Sequence, residues 1–415
     1  MDFLYSFGII VVDLLSRVAA LFNPKAKAFV NGRHDIFSKL KESFQFEKAP
    51  VLWIHCASLG EFEQGRPIIE RLKESYPTYK ILLTFFSPSG YEAKKNYPMA
   101  DYIFYLPWDT KRNAEQFIKT TKPVIAIFIK YEFWSNYIKR LANQQIPLIS
   151  ASSIFREDQI FFKPYGSFFR SILTRVNHFF VQNNKSKSLL HGIDINNVTV
   201  SGDTRFDRVN QITSQRNEIA RAKEFKGTEN VFVVGSCWPE DIELLAPFIN
   251  SYGGKIKFII APHEIKETFL KEIENTLSVK STRFSSATGD ISSFDVLIID
   301  NIGMLSSLYQ YGEYAFVGGG FGKGLHNILE AACYGIPIFF GNKNYQKFQE
   351  AKDLIMRGGA FEVADYHDFK EKYELLTNRP ENYLLACDVT KGYIEENLGA
   401  TDIIVNYCHQ LLQKK

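Results

Sequence analysis

The sequence predicts an α/β protein of two successive Rossmann-like halves, each a parallel sheet covered by helices, facing a cleft. Three observations lead there. From residue 51 onward, short apolar runs alternate with helical patterns, the rhythm of parallel strands joined by right-handed crossovers. The rhythm pauses over a polar stretch near 207–229 and then restarts. Polar or glycine-rich clusters follow one strand after another, and in such sheets ligands bind beyond the carboxyl ends of the strands.

A chain of 415 residues holds two domains of ordinary size, and 45% hydrophobic with 23% charged residues is a globular composition. The net charge of +3, from 49 Lys+Arg against 46 Asp+Glu, leaves no global footprint for nucleic acid. Cys56, Cys237, Cys333, Cys387 and Cys408 are scattered, odd in number and without a CxxC pair. That argues for reduced thiols and against structural zinc or a disulfide framework. The histidines are not paired at ligand spacing, so neither metal nor cofactor is expected. The aromatic share of 15% suits contact with lipid or an aromatic core.

Residues 3–22 are strongly apolar but carry Asp13 and Arg17, and Lys25, Lys27, Arg33, His34, Lys39 and Lys41 follow. An apolar helix backed by basic residues suits attachment to an anionic membrane surface; the alternative is a helix packed on the first domain. The uncharged part is too short to span a bilayer, and no basic n-region marks a cleaved signal.

Strands are expected at Val51–Cys56, Ile81–Phe86, Tyr102–Leu106, Val124–Ile129, Pro147–Ala151, His178–Val181 and Val198–Ser201. In the second half they fall at Val231–Gly235, Lys257–Ile260, Val296–Asp300, Tyr314–Val317 and Ile336–Phe340. The tail at about 383–412 reads as helical and returns to the first domain. The partition is then 1–45 (apolar helix and basic linker), 46–206, a linker at 207–229, 230–395, and a C-terminal helix at 396–415.

The densest cluster is Tyr314–Gly341, YAFVGGGFGKGLHNILEAACYGIPIFFG. A strand feeds a loop with Gly318, Gly319, Gly320, Gly322 and Gly324, and a helix is expected from near His326 to Ala332. Such a helix N-terminus is an anion site, with Glu330 one turn in for ribose hydroxyls; the alternative is a crossover whose glycines only serve packing. The spacing is neither GxGxxG nor a P-loop. After the first strand comes Ser58-Leu59-Gly60-Glu61. It reads either as a capping box or as a carboxylate poised as general base, which the helix N-terminus would help to ionise. Glu132 ends the fourth strand, Ser236 the first strand of the second half, and His263 its second.

Taken together, HCASLGEFEQGRPIIERL (His55–Leu72), YEFWSN, GDTRFD, GSCWPED, APHE, DNIGML and the Gly-rich block resemble the 3-deoxy-D-manno-octulosonic acid (Kdo) transferases, in order and over nearly the whole chain. The resemblance implies a GT-B inverting glycosyltransferase that moves Kdo from CMP-Kdo to the lipid A precursor at the cytoplasmic face of the inner membrane. It implies Glu61 as general base, and Gly319, Gly320, His326, Asn327 and Ser236 around the CMP phosphate. Glu330 would meet the ribose, and His263 would lie in the donor site. Arg205, in place of a family lysine, would meet the Kdo carboxylate or a phosphate. Ser58, Gly60 and Glu132 would line the acceptor side. Ser152 stands where an arginine is usual, which makes Arg156 a candidate substitute. Lys163 and Arg170, among the aromatics of 161–169, offer a mixed surface for an acylated, phosphorylated acceptor, or else an amphipathic helix that buries its rings. The rival readings are a nucleotide-sugar epimerase, a nicotinamide oxidoreductase, against which the missing GxGxxG stands, and a non-catalytic membrane scaffold.

Overall fold

The computed structural model describes residues 1–215 and 218–413. The chain divides into two compact units: Met1–Arg208 together with the C-terminal stretch from Leu398, and Val209–Asn397.

The first unit is built on a seven-stranded sheet of β1 (Val51–Cys56), β2 (Lys80–Phe85), β3 (Tyr102–Tyr105), β4 (Pro123–Ile129), β5 (Leu148–Ser153), β6 (His178–Val181) and β7 (Val198–Val200), in the order β3-β2-β1-β4-β5-β6-β7. Every pairing is parallel. Parallel sheets bury both faces, which is why β1 and β4 are near-continuous apolar runs. Along β1, Trp53 packs into one core, while Leu52, Ile54 and Cys56 pack into the other. The chain winds from β1 out to β3 and then returns to β4 on the other side. The crevice of this sheet therefore opens between the ends of β1 and β4, the topological switch point.

The second unit repeats the plan with β8 (Val231–Cys237), β9 (Lys257–Pro262), β10 (Ser281–Arg283), β11 (Val296–Ile298), β12 (Tyr314–Val317), β13 (Ile338–Gly341) and β14 (Ala360–Val363), in the order β10-β11-β9-β8-β12-β13-β14. Its pairings are parallel too. Its switch point lies between β8 and β12, where Val317 pairs with Gly235.

Several expectations change. The sequence pattern omitted β10 and β14, short edge strands with polar residues in them. The polar stretch after β7 carries the helices Thr204–Gln215 and Ala220–Lys226. Arg216 and Asn217 of the expected linker, and Lys414 and Lys415 of the expected C-terminal helix, lie outside the described residues. The tail is two helices, Pro380–Glu396 and Ala400–Gln413, separated at Gly399 with φ 100°. The second lies in the first unit and places Ile404, Val405, Cys408 and Leu412 in the core beside the helix Leu59–Ser75. Its start is clamped by Asp207, whose carboxylate accepts from the N–H groups of Gly399 (2.7 Å) and Thr401 (2.6 Å) and from the Thr401 hydroxyl (2.6 Å).

The N-terminal helix spans Asp2–Ala19 and buries none of its residues. Among the described residues, no helix is long and apolar enough to cross a membrane. Arg33, expected among the basic residues behind this helix, is turned inward. Its guanidinium lies 3.9 Å from the Phe29 ring centroid and 4.8 Å from that of Phe86, and it donates to the carbonyls of Leu106, Phe29 and Phe86.

Candidate active site

At the switch point of the first sheet, β1 delivers the chain through Ala57 and Ser58 into the helix Leu59–Ser75. The reciprocal capping box does not form. Ser58 occupies the cap position without a side-chain bond to the helix, and Glu61 reaches back to accept the N–H of Ala57 at 2.5 Å. Glu61 is only 6% exposed. Burial, and next the neighbouring Glu132 carboxylate, push its pKa up to about 7, against the Ala57 N–H and the Lys130 cation, which favour the ionised form. A carboxyl tuned in this way is half ionised near neutral pH, the condition a general base requires. A Cβ added at Gly60 would meet nothing within 4 Å, so packing does not demand glycine there.

Glu132 arrives from the end of β4, past Lys130, which holds φ at 63°. Its Oε2 lies 3.9 Å from Nε2 of the fully buried His55, and its side chain is 14% exposed. Sequence reasoning did not single out His55, since a histidine inside an apolar strand looks like core.

The other first-unit candidates are more tied down than expected. Asp203 accepts from both the backbone N–H and Nε of Arg205 at 2.9 Å, and from Gln64 Nε2 at 3.1 Å. Ser152 is buried, with its hydroxyl 3.1 Å from that of Thr204, whereas Arg156 is exposed, 3.9 Å from Asp158 and 5.9 Å from the Tyr131 ring. Arg170 donates to the carbonyls of Phe161 (3.1 Å) and Lys163 (2.7 Å), so its fork staples a loop. Phe168 and Phe169 are partly buried against the core, and Tyr165 alone of the aromatics in 161–169 is strongly exposed, at 74%. The phenylalanine rings of this segment thus pack on the core with part of their surface left open.

At the switch point of the second sheet, Ser236 takes φ 52° at a bulge in β8. Asp241, not singled out from the sequence, ties the two loops together. Its Oδ2 accepts the N–H groups of Trp238 (2.8 Å) and Gly319 (3.0 Å), while burial pushes its pKa up to about 6. The glycines have steric causes. A Cβ on Gly318 would sit 2.4 Å from the Ser236 carbonyl oxygen, and one on Gly320 2.3 Å from that of Gly341. The expected helix shrinks to Leu329–Ala332, with Asn327 Oδ1 accepting the N–H of Leu329 at 3.3 Å where it opens. Glu330 is accordingly in the first turn, accepting from Asn327 Nδ2 at 3.1 Å.

Trp238, His263 and His326 stack, with centroids 4.6 Å apart for Trp238–His263 and 4.3 Å for His263–His326. Lys323 Nζ lies 4.0 Å from the Trp238 ring centroid. Indole N–H is a donor only. The 3.1 Å bond from Trp238 Nε1 therefore makes His326 Nε2 the acceptor and leaves Nδ1 as the protonated nitrogen. Burial, and then His263, hold the pKa of His326 down at about 4, so the ring is neutral at pH 7. Lys323 and the stacked rings together make a surface suited to an anionic ligand carrying a planar group.

Residues 34–208 match the family model described as 3-Deoxy-D-manno-octulosonic-acid transferase (kdotransferase). The 3-deoxy-D-manno-octulosonic acid transferase of Chlamydophila psittaci is 27% identical over 399 residues, covering 91% of this chain and 89% of the relative. That of Aquifex aeolicus is 28% identical over 348 residues, covering 82% of this chain and 88% of the relative. Among solved structures, the UDP-GlcNAc 2-epimerase from Neisseria meningitidis bound to UDP-GlcNAc superposes with a TM-score of 0.61 at 17% identity, over 88% of this chain and 100% of that one. At that identity the likeness speaks for the fold, a GT-B-like pair of parallel-sheet units.

Proposed function

We propose that this chain is a glycosyltransferase of the Kdo transferase family, supported by the family model over residues 34–208 and by Kdo transferases 27% and 28% identical over most of the chain, and that it moves Kdo from CMP-Kdo to the lipid A precursor in lipopolysaccharide biosynthesis. The observation that carries the reading is Glu61, a buried carboxyl with its pKa raised to about 7 at the switch point of the first sheet. In the proposed step the acceptor hydroxyl oxygen attacks the anomeric carbon of Kdo as its proton passes to Glu61. The bond from that carbon to the phosphate oxygen breaks on the opposite face, and CMP departs with the electron pair. The product is inverted. CMP is a good leaving group, so the protein has mainly to position the partners and steady charge.

The donor would be held in the second unit. Lys323 and His326 Nδ1–H would face the phosphate with Ser236, Gly319 and Gly320, the Trp238–His263 stack would meet a planar group, and Glu330, held by Asn327, would meet the ribose. Glu132, Ser58 and Gly60 would face the acceptor. Arg205 and Arg156 are the guanidinium groups proposed for the Kdo carboxylate or a phosphate. Membrane attachment at the cytoplasmic face of the inner membrane would come from the N-terminal helix, which exposes Phe3 (79%), Leu4 (61%), Phe7 (56%) and Leu14 (62%).

The test is a transfer assay with CMP-Kdo generated in situ and a tetra-acylated lipid A precursor, read by mass spectrometry beside Glu61→Ala. A product heavier by whole Kdo units, absent in the variant, is expected. Failure of the chain to bind CMP would overturn the reading.

A further inference from the structure

The first unit holds a buried polar chain that the reaction above does not use. Trp53 and His55 share β1, and Thr84 lies beside them on β2, paired with His55. Trp53 Nε1–H, a donor only, donates to Thr84 Oγ1 at 2.8 Å. The Thr84 hydroxyl proton then has two acceptors in reach, His55 Nδ1 at 2.9 Å and the Ile54 carbonyl at 3.5 Å, and the Thr84 carbonyl also lies 3.2 Å from Nδ1, so these oxygens accommodate either tautomer of His55. With Nδ1 accepting from the Thr84 hydroxyl, the ring carries its proton on Nε2, the tautomer that the facing Glu132 carboxylate favours. That nitrogen is fully buried and has no hydrogen-bond partner among the described residues. Ahead of it, 3.9 Å away, is Glu132 Oε2.

A buried donor left without a partner is unfavourable, because it has given up its bond to water and gained none in return. Active-site hydrogen bonds are commonly long before the substrate arrives and tighten in the complex. We propose that His55 is a positioning residue for the transfer: oriented by Trp53 and Thr84, its Nε2–H fixes the Glu132 carboxylate beside Glu61. The proposal rests on the reading of Glu61 as general base. Its consequence is electrostatic. A Glu132 carboxylate held in place and charged keeps the proton affinity of Glu61 high, and so sets the pH at which the base works. The groups facing Glu61 are Glu132 and Lys130, from the end of β4, and Cys56, from β1. Those facing Glu132 are His55, Cys56 and Tyr5 of the N-terminal helix.

The experiment is the pH dependence of kcat for the full chain, in the assay given above, for His55→Phe, Thr84→Val, Glu132→Gln and Glu61→Gln. His55→Phe removes the donor and keeps much of the volume. Thr84→Val leaves only the residue-84 carbonyl, 3.2 Å from Nδ1, so the ring donates there and turns a lone pair toward Glu132. Both variants should move the acid limb to lower pH by about one unit, the size of one hydrogen bond to a charged group. Adding His55→Phe to Glu132→Gln should move it no further than Glu132→Gln alone. A purely structural histidine would lower Tm and kcat and leave the limb in place. If Glu61→Gln is inactive while the limb stays unmoved in the single variants, the positioning role is wrong and the base stands. If Glu61→Gln transfers normally, the base reading falls and takes this one with it. Should His55→Phe not fold, Thr84→Val decides.

Discussion

Glu61→Gln separates two consequences of one carboxyl. The substitution keeps the shape and a carbonyl to accept the Ala57 N–H, but removes the charge and the basicity. A pKa raised from the ordinary 4.5 to about 7 means that the folded unit disfavours the ionised form by ~3 kcal/mol relative to the unfolded chain. The native state binds more protons than the unfolded one between those values. The contribution of Glu61 to stability is therefore intact below pH 4.5, declines as pH rises through 7 and is flat above. Glutamine has no such slope. Denaturant unfolding at pH 5 and pH 8 should show the variant gaining up to ~3 kcal/mol on the native chain between the two. At the same time kcat should fall by ~10²–10⁴-fold, the usual worth of a general base. A variant that loses ground at pH 8, or that keeps its kcat, would refute the reasoning.

Phe3→Ser with Phe7→Ser should cut co-sedimentation with phosphatidylglycerol-containing vesicles more than tenfold, since each ring is worth ~1.5–3 kcal/mol of apolar burial, while CMP binding is unchanged. Gly320→Ala forces a Cβ against the Gly341 backbone at 2.3 Å and should destabilise the second unit by ~1–3 kcal/mol in thermal unfolding. Asp241→Ala strands two N–H groups and unpins the glycine loop from Trp238. CMP affinity, measured by calorimetry, should fall with stability. Phe169→Ser should lower Tm, because that ring packs on the core of the first unit.

The strands whose bounds were most legible, β1, β6 and β12, are short apolar runs buried along nearly their whole length. The missed β10 reads Ser-Thr-Arg and is half-buried throughout; an edge strand with polar faces has no periodic signature to detect. The helix after the glycine loop was overextended because His326-Asn327-Ile328-Leu329 has helical spacing. In the structure Leu325 and His326 are instead tied to other segments through their N–H groups, and the helix opens at Leu329 behind Asn327. In the site, the type and place of Glu61 were readable from its motif. Its environment was not, because the carboxylate that perturbs it comes from a strand some seventy residues away. His55 was unreadable for a related reason: a histidine on an apolar strand differs from a core histidine only in which neighbours its two nitrogens meet.

The Asp207 clamp bears on how the protein is made. The helix Ala400–Gln413 completes the core behind the helix that carries Glu61, so the first unit is discontinuous in sequence. A ribosome delivers the seven strands of its sheet long before the piece that covers one face of it. During synthesis Cys56, Phe62 and Ile69 wait without their last neighbours while the whole second unit emerges and folds. The helix that carries Glu61 thus gains its last packing partners only with the 14 residues of Ala400–Gln413, and a chain cut at Asn397 would hold all of its strands with that core unfinished.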